Sequence, residues 1–192
     1  MERMNSHNDH GTSSSLLKRF PLLTDILPVY AVAVFMAYGW NIIHFLWKVP
    51  SWLLFLTMGE ILSLLAYAMS AALAESLVIL AVVLLIAFLL PESFFKRDFI
   101  VRATWLILAG YGGMMIMLSL NTTYGDIIGR YWSLLSLILP VLAGFAAYIS
   151  TRIAFLRSAA LWLSDQLIIF LFILMPASLV AVVTVLIRNL AQ

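Results

Sequence analysis

Residues Ser51–Leu90 read SWLLFLTMGEILSLLAYAMSAALAESLVILAVVLLIAFLL, and they decide the fold because only Glu60 and Glu75 are charged in this stretch. As a single α-helix it would be about 60 Å long, twice the hydrocarbon core of a bilayer at about 30 Å. Two helices joined by a tight turn fit the bilayer better. We predict that turn at Ser70–Glu75, where Leu and Ile give way to Ala and Ser.

The composition of the whole chain indicates an integral membrane protein. Of 192 residues, 64% are hydrophobic and 10% are charged, whereas soluble domains contain about 25% charged residues. So few charges cannot cover a surface that faces water, and the lipid bilayer is therefore the expected surroundings. Basic residues are scattered singly or in pairs between the apolar segments, so no nucleic-acid partner is expected. The absence of cysteine excludes disulfides and thiolate metal sites within this chain.

The apolar stretches predict an all-α polytopic membrane helix bundle with about six transmembrane helices. Each span needs about 20 largely apolar residues. The predicted spans are 26–47, 51–70, 75–90, 100–120, 133–150 and 165–187. Residues 25–192 thus form one transmembrane domain, and residues 1–24 are predicted to be a disordered polar tail with a short interfacial lead-in.

The distribution of basic residues favours a different number of spans. With six spans the two sides of the membrane receive five and six basic residues, which specifies no orientation. If Ser51–Leu90 crosses once, the division is eight against three, and the positive-inside rule places the N-terminus in the cytoplasm. The alternative is therefore five spans plus a re-entrant segment around Ser51–Ala66 that holds Glu60. The expected location is a bacterial inner membrane, with a cytoplasmic N-terminus.

Glu60 is the first candidate for intramembrane chemistry. It follows Pro50 by ten residues, which places it about 15 Å deep if the span begins at that proline. A carboxyl group at the bilayer midplane costs a few kcal/mol, and such groups are functional candidates by default. It can support proton-coupled transport, or it can form a hydrogen bond that holds helices or a partner subunit. We favour the second interpretation.

Asn41 and His44 are the polar candidates on the first span. They are three residues apart and share one helix face. Asn41 is closer to the predicted depth of Glu60, so an Asn41–Glu60 hydrogen bond is expected, with His44 nearer the headgroups. Glu75 is interpreted as a cap at the start of the third span, where a carboxylate complements the helix dipole.

The sequence contains no catalytic, metal-binding or cofactor-binding motif. We therefore predict a non-enzymatic subunit or accessory protein of a membrane complex, with a membrane protein or a second copy of the chain as its partner. The alternative is a small proton-coupled transporter that uses Glu60. An intramembrane enzyme with His44 and Glu60 as acid and base is disfavoured, because their predicted depths differ by about 9 Å.

Overall fold

The computed structural model describes residues 22–90, 95, 98–123 and 125–190, and the regular structure in these ranges consists of five long α-helices. The helices are α1 Leu23–Trp52, α2 Met58–Leu89, α3 Phe99–Thr123, α4 Gly125–Ser150 and α5 Ala154–Leu190. By length and composition, each is apolar enough to cross a membrane, α4 through its part Tyr131–Ser150. The predicted tail at residues 1–24 falls almost entirely outside the described residues.

The structure does not confirm six spans, and the turn predicted at Ser70–Glu75 is wrong because α2 runs through it without interruption. This helix has 32 residues, which corresponds to about 48 Å. Its sequence contains neither glycine nor proline after Gly59, and alanine, which recurs at the expected turn, is the strongest helix former. A helix longer than the hydrocarbon core is accommodated by tilting.

The chain reverses direction between Trp52 and Thr57 instead. The backbone N–H groups of Phe55 and Leu56 donate to the Trp52 carbonyl at 3.0 and 2.7 Å. A capping box then opens α2, in which the Thr57 hydroxyl accepts from the Glu60 N–H while the Glu60 carboxylate accepts from the Thr57 N–H. The expected re-entrant segment at residues 51–66 is therefore wrong, since this region is the end of α1, a turn and the start of α2.

Helix α1 lies at the centre of the bundle. Half of its most apolar window (50%) is buried, against 17% for each of the other four helices. It packs against α2, α3 and α5, whereas α4 packs mainly on α3. The side chains of Val29, Val32 and Val34 are fully buried. The core is therefore a layer of small and β-branched side chains around α1.

Hydroxyl groups join α1 to its neighbours inside this core. The Tyr38 and Ser178 hydroxyls form a buried hydrogen bond between α1 and α5. The Tyr30 hydroxyl lies 3.5 Å from the Ser76 oxygen of α2 and donates to the Met175 sulfur of α5 at 3.7 Å. These contacts set the positions of α2 and α5 along the axis of α1.

Two glycines allow α4 to lie close against α3. A Cβ atom on Gly110 would be 3.6 Å from the Ala143 Cβ, and one on Gly113 would collide with the Leu139 side chain. Small residues at helix contacts let the two backbones approach in membranes.

Ends of the bundle are held by polar contacts between elements that are distant in sequence. At the end where α1 begins, Arg157 pairs with Asp98 at 3.1 Å and the Trp105 indole N–H donates to the Leu156 carbonyl at 3.1 Å. At the opposite end, the Tyr67 hydroxyl donates to the Asn189 side chain at 2.7 Å. The long α5 therefore contacts the bundle near both of its termini.

The number of crossings can be tested by cysteine labelling, because the chain has no cysteine of its own. Single variants carry the label at the C-terminal end of α1 (Ser51→Cys) and in the α4–α5 connection (Thr151→Cys). Five crossings place these positions on opposite sides, so a membrane-impermeant maleimide added to sealed vesicles should label one and not the other. Six crossings would place both on the same side, and equal labelling of the two variants would contradict the fold described here.

Candidate functional site

The carboxyl group inside the bundle belongs to Glu75. This residue lies 17 positions after the first residue of α2 and 14 before the last, hence near the middle of the helix, and its side chain is half-buried. The Asn41 side-chain N–H₂ donates to the Glu75 Oε2 at 2.9 Å and to the Ala37 carbonyl at 2.9 Å. Both amide hydrogens are thus used, one of them to join α1 to α2.

Tyr111 of α3 completes the cluster. Its hydroxyl group lies beside the Glu75 carboxylate. The hydroxyl oxygen is buried, and within the described residues it forms no hydrogen bond of ordinary geometry, so the Glu75 carboxylate is the polar group that it faces. Glu75, Asn41 and Tyr111 therefore bring a carboxylate, an amide and a phenol together from three different helices. We call this group the Glu75 cluster.

Glu60, the main candidate from the sequence, lies elsewhere. It is an exposed residue in the first turn of α2, and its Oε2 accepts from the Thr57 N–H and from the Thr57 hydroxyl, each at 2.8 Å. Glu60 does not lie ten residues inside a helix, as a span that begins at Pro50 predicts, because α2 begins at Met58. Glu60 therefore caps the start of α2, and the capping position expected for Glu75 is wrong because Glu75 lies in the middle of that helix.

The expected Asn41–Glu60 hydrogen bond is likewise replaced by the Asn41–Glu75 bond. His44 takes no part in that bond. Its Nδ1 lies 3.1 Å from the Trp40 carbonyl, and its ring packs against the Trp40 indole at an angle of 46° with centroids 4.0 Å apart. The Trp47 ring follows at 6.2 Å. His44 therefore belongs to an aromatic row on α1.

Sequence reasoning missed Tyr111 altogether and misassigned Glu75. One signal could have corrected the assignment, because Thr57-Met-Gly-Glu60 is a capping-box sequence directly before an apolar run. It marks the start of α2 and moves the middle of that helix to Glu75. No local pattern identifies Tyr111, since its position beside Glu75 depends on how α3 packs.

The Glu75 cluster has the groups needed for proton and cation chemistry. It offers oxygen atoms and one negative charge when ionised, without a nucleophile held by a base. No group of three or more His, Asp or Glu side chains that could hold a metal ion occurs in the described ranges. An apolar cleft of about 450 Å³ lies nearby between α1 and α3, lined by Met36, Trp40 and Met115 among others.

Comparison with known proteins gives no match. No family model, no curated protein and no solved structure is similar to this chain. Functional inference therefore rests on the geometry described above.

The Asn41–Glu75 hydrogen bond should be measurable as an interaction energy. We expect a double-mutant cycle with Asn41→Ala and Glu75→Ala to give about 1 kcal/mol of coupling, the size found for polar contacts between membrane helices. The measurement is the free energy of unfolding in detergent. As a control, the Asn41→Ala and Glu60→Gln effects should simply add, since glutamine also supports a capping box. Additivity in the Asn41–Glu75 cycle would contradict the contact.

Proposed function

We propose that this chain is a non-enzymatic subunit or accessory protein of a membrane complex. The observation that supports the proposal is the position of α4. It is attached to the bundle mainly through α3, and the rest of its surface is open. A partner helix can therefore reach α4 without displacing any part of the core.

The open surface of α4 carries small residues at helical spacing. All are exposed, and an added Cβ on any of the three glycines would meet nothing within 4 Å. We call this surface the α4 face; its small residues are Gly125, Gly129, Ser133, Ser136 and Gly144. Lipid tails are as apolar as leucine, so helices associate in membranes through close backbone contact and polar groups, both of which small residues provide. The α4 face suits a transmembrane helix of another membrane protein.

We also propose that the N-terminus is cytoplasmic, in a bacterial inner membrane. Five crossings place eight basic residues on the N-terminal side and three on the other. The eight are Arg3, Lys18, Arg19, Lys96, Arg97, Arg102, Arg152 and Arg157, and the three are Lys48, Arg130 and Arg188. An excess of basic residues in short loops marks the cytoplasmic side.

The subunit proposal predicts that gentle detergent extraction from the native membrane recovers a second protein in stoichiometric amount. The Ser136→Leu variant should lose most of this protein, because the larger side chain prevents close approach at the α4 face. Quantitative mass spectrometry of the purified complex gives the ratio of the two proteins.

Thr184→Leu is the matched control for this experiment. Thr184 is exposed on α5. Its hydroxyl donates to a carbonyl of its own helix at 2.9 Å, as the Ser136 hydroxyl does on α4. The control variant should retain the partner. A monodisperse monomer from the unsubstituted chain would refute the proposal, and a dimer of this chain alone would replace the foreign partner by a second copy.

A second candidate function is a small proton-coupled carrier. The observation in its favour is the half-buried carboxyl of Glu75 near the middle of α2, which replaces Glu60 in this role. Carboxyl groups at membrane depth form the proton relays of many pumps and transporters. The Asn41 amide would hold the group in position between two helices.

The carrier candidate predicts that Glu75→Gln abolishes proton flux, because glutamine keeps the shape but does not exchange a proton. The measurement uses purified protein in liposomes that contain a pH-sensitive dye, with an imposed pH gradient. Glu60→Gln serves as the control and should leave the flux unchanged. Equal flux through the Glu75→Gln variant and the unsubstituted protein would exclude the carrier.

A further inference from the structure

The Glu75 cluster has more oxygen acceptors than the described residues satisfy. The Asn41 amide hydrogens are taken by Ala37 and by one Glu75 oxygen. Three oxygen atoms therefore remain free to coordinate a ligand within the described residues: the Asn41 Oδ1, the Glu75 Oε1 and the Tyr111 hydroxyl oxygen. The Tyr111 hydroxyl is buried beside the Glu75 carboxylate and, among the described residues, forms no hydrogen bond of ordinary geometry. Buried polar groups in native proteins nearly always have a partner.

Among the residues that the structure describes, the charge of the cluster also lacks a counterpart. The ion pair found among the described residues joins Asp98 to Arg157. It lies at the end of the bundle where α1 begins, whereas Glu75 lies in the middle of α2. An ionised carboxyl group in hydrocarbon is stable only when a positive charge or protonation compensates it. A ligand that supplies one positive charge would therefore stabilise the cluster.

The neighbouring helices bring few titratable groups to this region. Helix α3 contributes Tyr111. Helix α1 contributes Tyr30, which contacts Ser76 next to Glu75, and His44, which lies one turn beyond Asn41 and packs at a tilt against Trp40. The charged residues of α5 in the described ranges are Arg157, Asp165 and Arg188. Arg157 and Arg188 lie in its first and last turns, and Asp165 is exposed.

We propose that Glu75, Asn41 and Tyr111 form a binding site for one small monovalent cation, either a proton or Na⁺. Carboxylate, amide and phenol oxygens are the ligands that hard cations prefer. A single carboxylate matches a single positive charge, whereas divalent ions favour several carboxylates. The bound cation joins α1, α2 and α3 at one point near the middle of the bundle.

This inference goes beyond the subunit role and does not depend on transport. Occupancy of the site is an equilibrium property that labelling measures, whereas the flux experiment measures movement across the membrane. A site that binds a cation without flux leaves the carrier candidate excluded and the binding site intact. Failure of the carrier candidate can therefore be distinguished from failure of the cation site.

The experiment uses dicyclohexylcarbodiimide, an apolar reagent, on the full-length protein in liposomes. A protonated carboxyl group transfers its proton to a carbodiimide nitrogen while the carboxylate oxygen bonds to the central carbon, and the product rearranges to a stable N-acylurea. We expect modification of Glu75, detected by mass spectrometry and absent in Glu75→Gln. The rate should fall as the pH rises, because deprotonation removes the reactive form.

Sodium ions distinguish the two cations. Na⁺ added at constant ionic strength, with choline as the reference cation, should slow the modification if Na⁺ occupies the site. A rate that depends on pH alone identifies the proton as the ligand. In the sodium case, Tyr111→Phe should raise the concentration that halves the rate about tenfold, since one oxygen contact to a charged group is lost. Phenylalanine is a mild change here, because the hydroxyl has no hydrogen-bond partner within the described residues.

The unfolding temperature provides a second readout of the same site. A ligand that binds only the folded state raises it, and the rise grows with ligand concentration. We expect Na⁺ or low pH to raise the unfolding temperature of the unsubstituted protein more than that of Glu75→Gln. Two results together would overturn the proposal. In the labelling experiment, Glu75 would not be modified, or its rate of modification would respond to neither pH nor Na⁺. In the unfolding experiment, the unsubstituted protein and Glu75→Gln would respond equally to Na⁺ and to pH.

Discussion

The structure depends on one constraint, that no water is present in the hydrocarbon core to bond to backbone N–H and C=O groups. Each apolar stretch must satisfy these groups within itself, and it does so as an uninterrupted helix. The connections are correspondingly short. Between α4 and α5 only Thr151–Ile153 intervene, and the Arg152 N–H still donates to the Ile149 carbonyl at 2.8 Å. The 37 residues of α5 extend about 55 Å, so its ends reach beyond the apolar layer.

Arrangement of the helices follows from a second property of the bilayer. Because lipid tails are as apolar as leucine, burial of leucine between helices gains little, and association relies on close packing and polar contacts. Helix α1 provides both. Its alanines and valines let α2, α3 and α5 approach, while Tyr30, Tyr38 and Asn41 each form a side-chain hydrogen bond or close polar contact with another helix. The most buried helix is therefore also joined to both α2 and α5 by polar side-chain contacts.

Composition and apolar runs were sufficient to predict the all-α membrane fold and the positions of four helices. The predicted division of Ser51–Leu90 into two helices is wrong because span length alone does not break a helix. A long alanine-rich helix fits the bilayer by tilting. The basic residues pointed to five crossings, since their distribution becomes asymmetric only with that number. Side-chain contacts such as that of Tyr111 could not be predicted, because they depend on helix rotation and sliding that a single sequence does not specify.

Glu60 and Glu75 show how position on one helix decides what the same side chain does. At the first turn, the backbone N–H groups have no partner within the helix, so the Glu60 carboxylate finds a donor on Thr57 and stays exposed. Fifteen residues further on, every backbone N–H is already bonded within the helix, so Glu75 must obtain its donor from another element, and Asn41 of α1 supplies it. A carboxyl group in the middle of a membrane helix thus forms its hydrogen bond with a neighbouring helix, whereas one in the first turn caps its own helix.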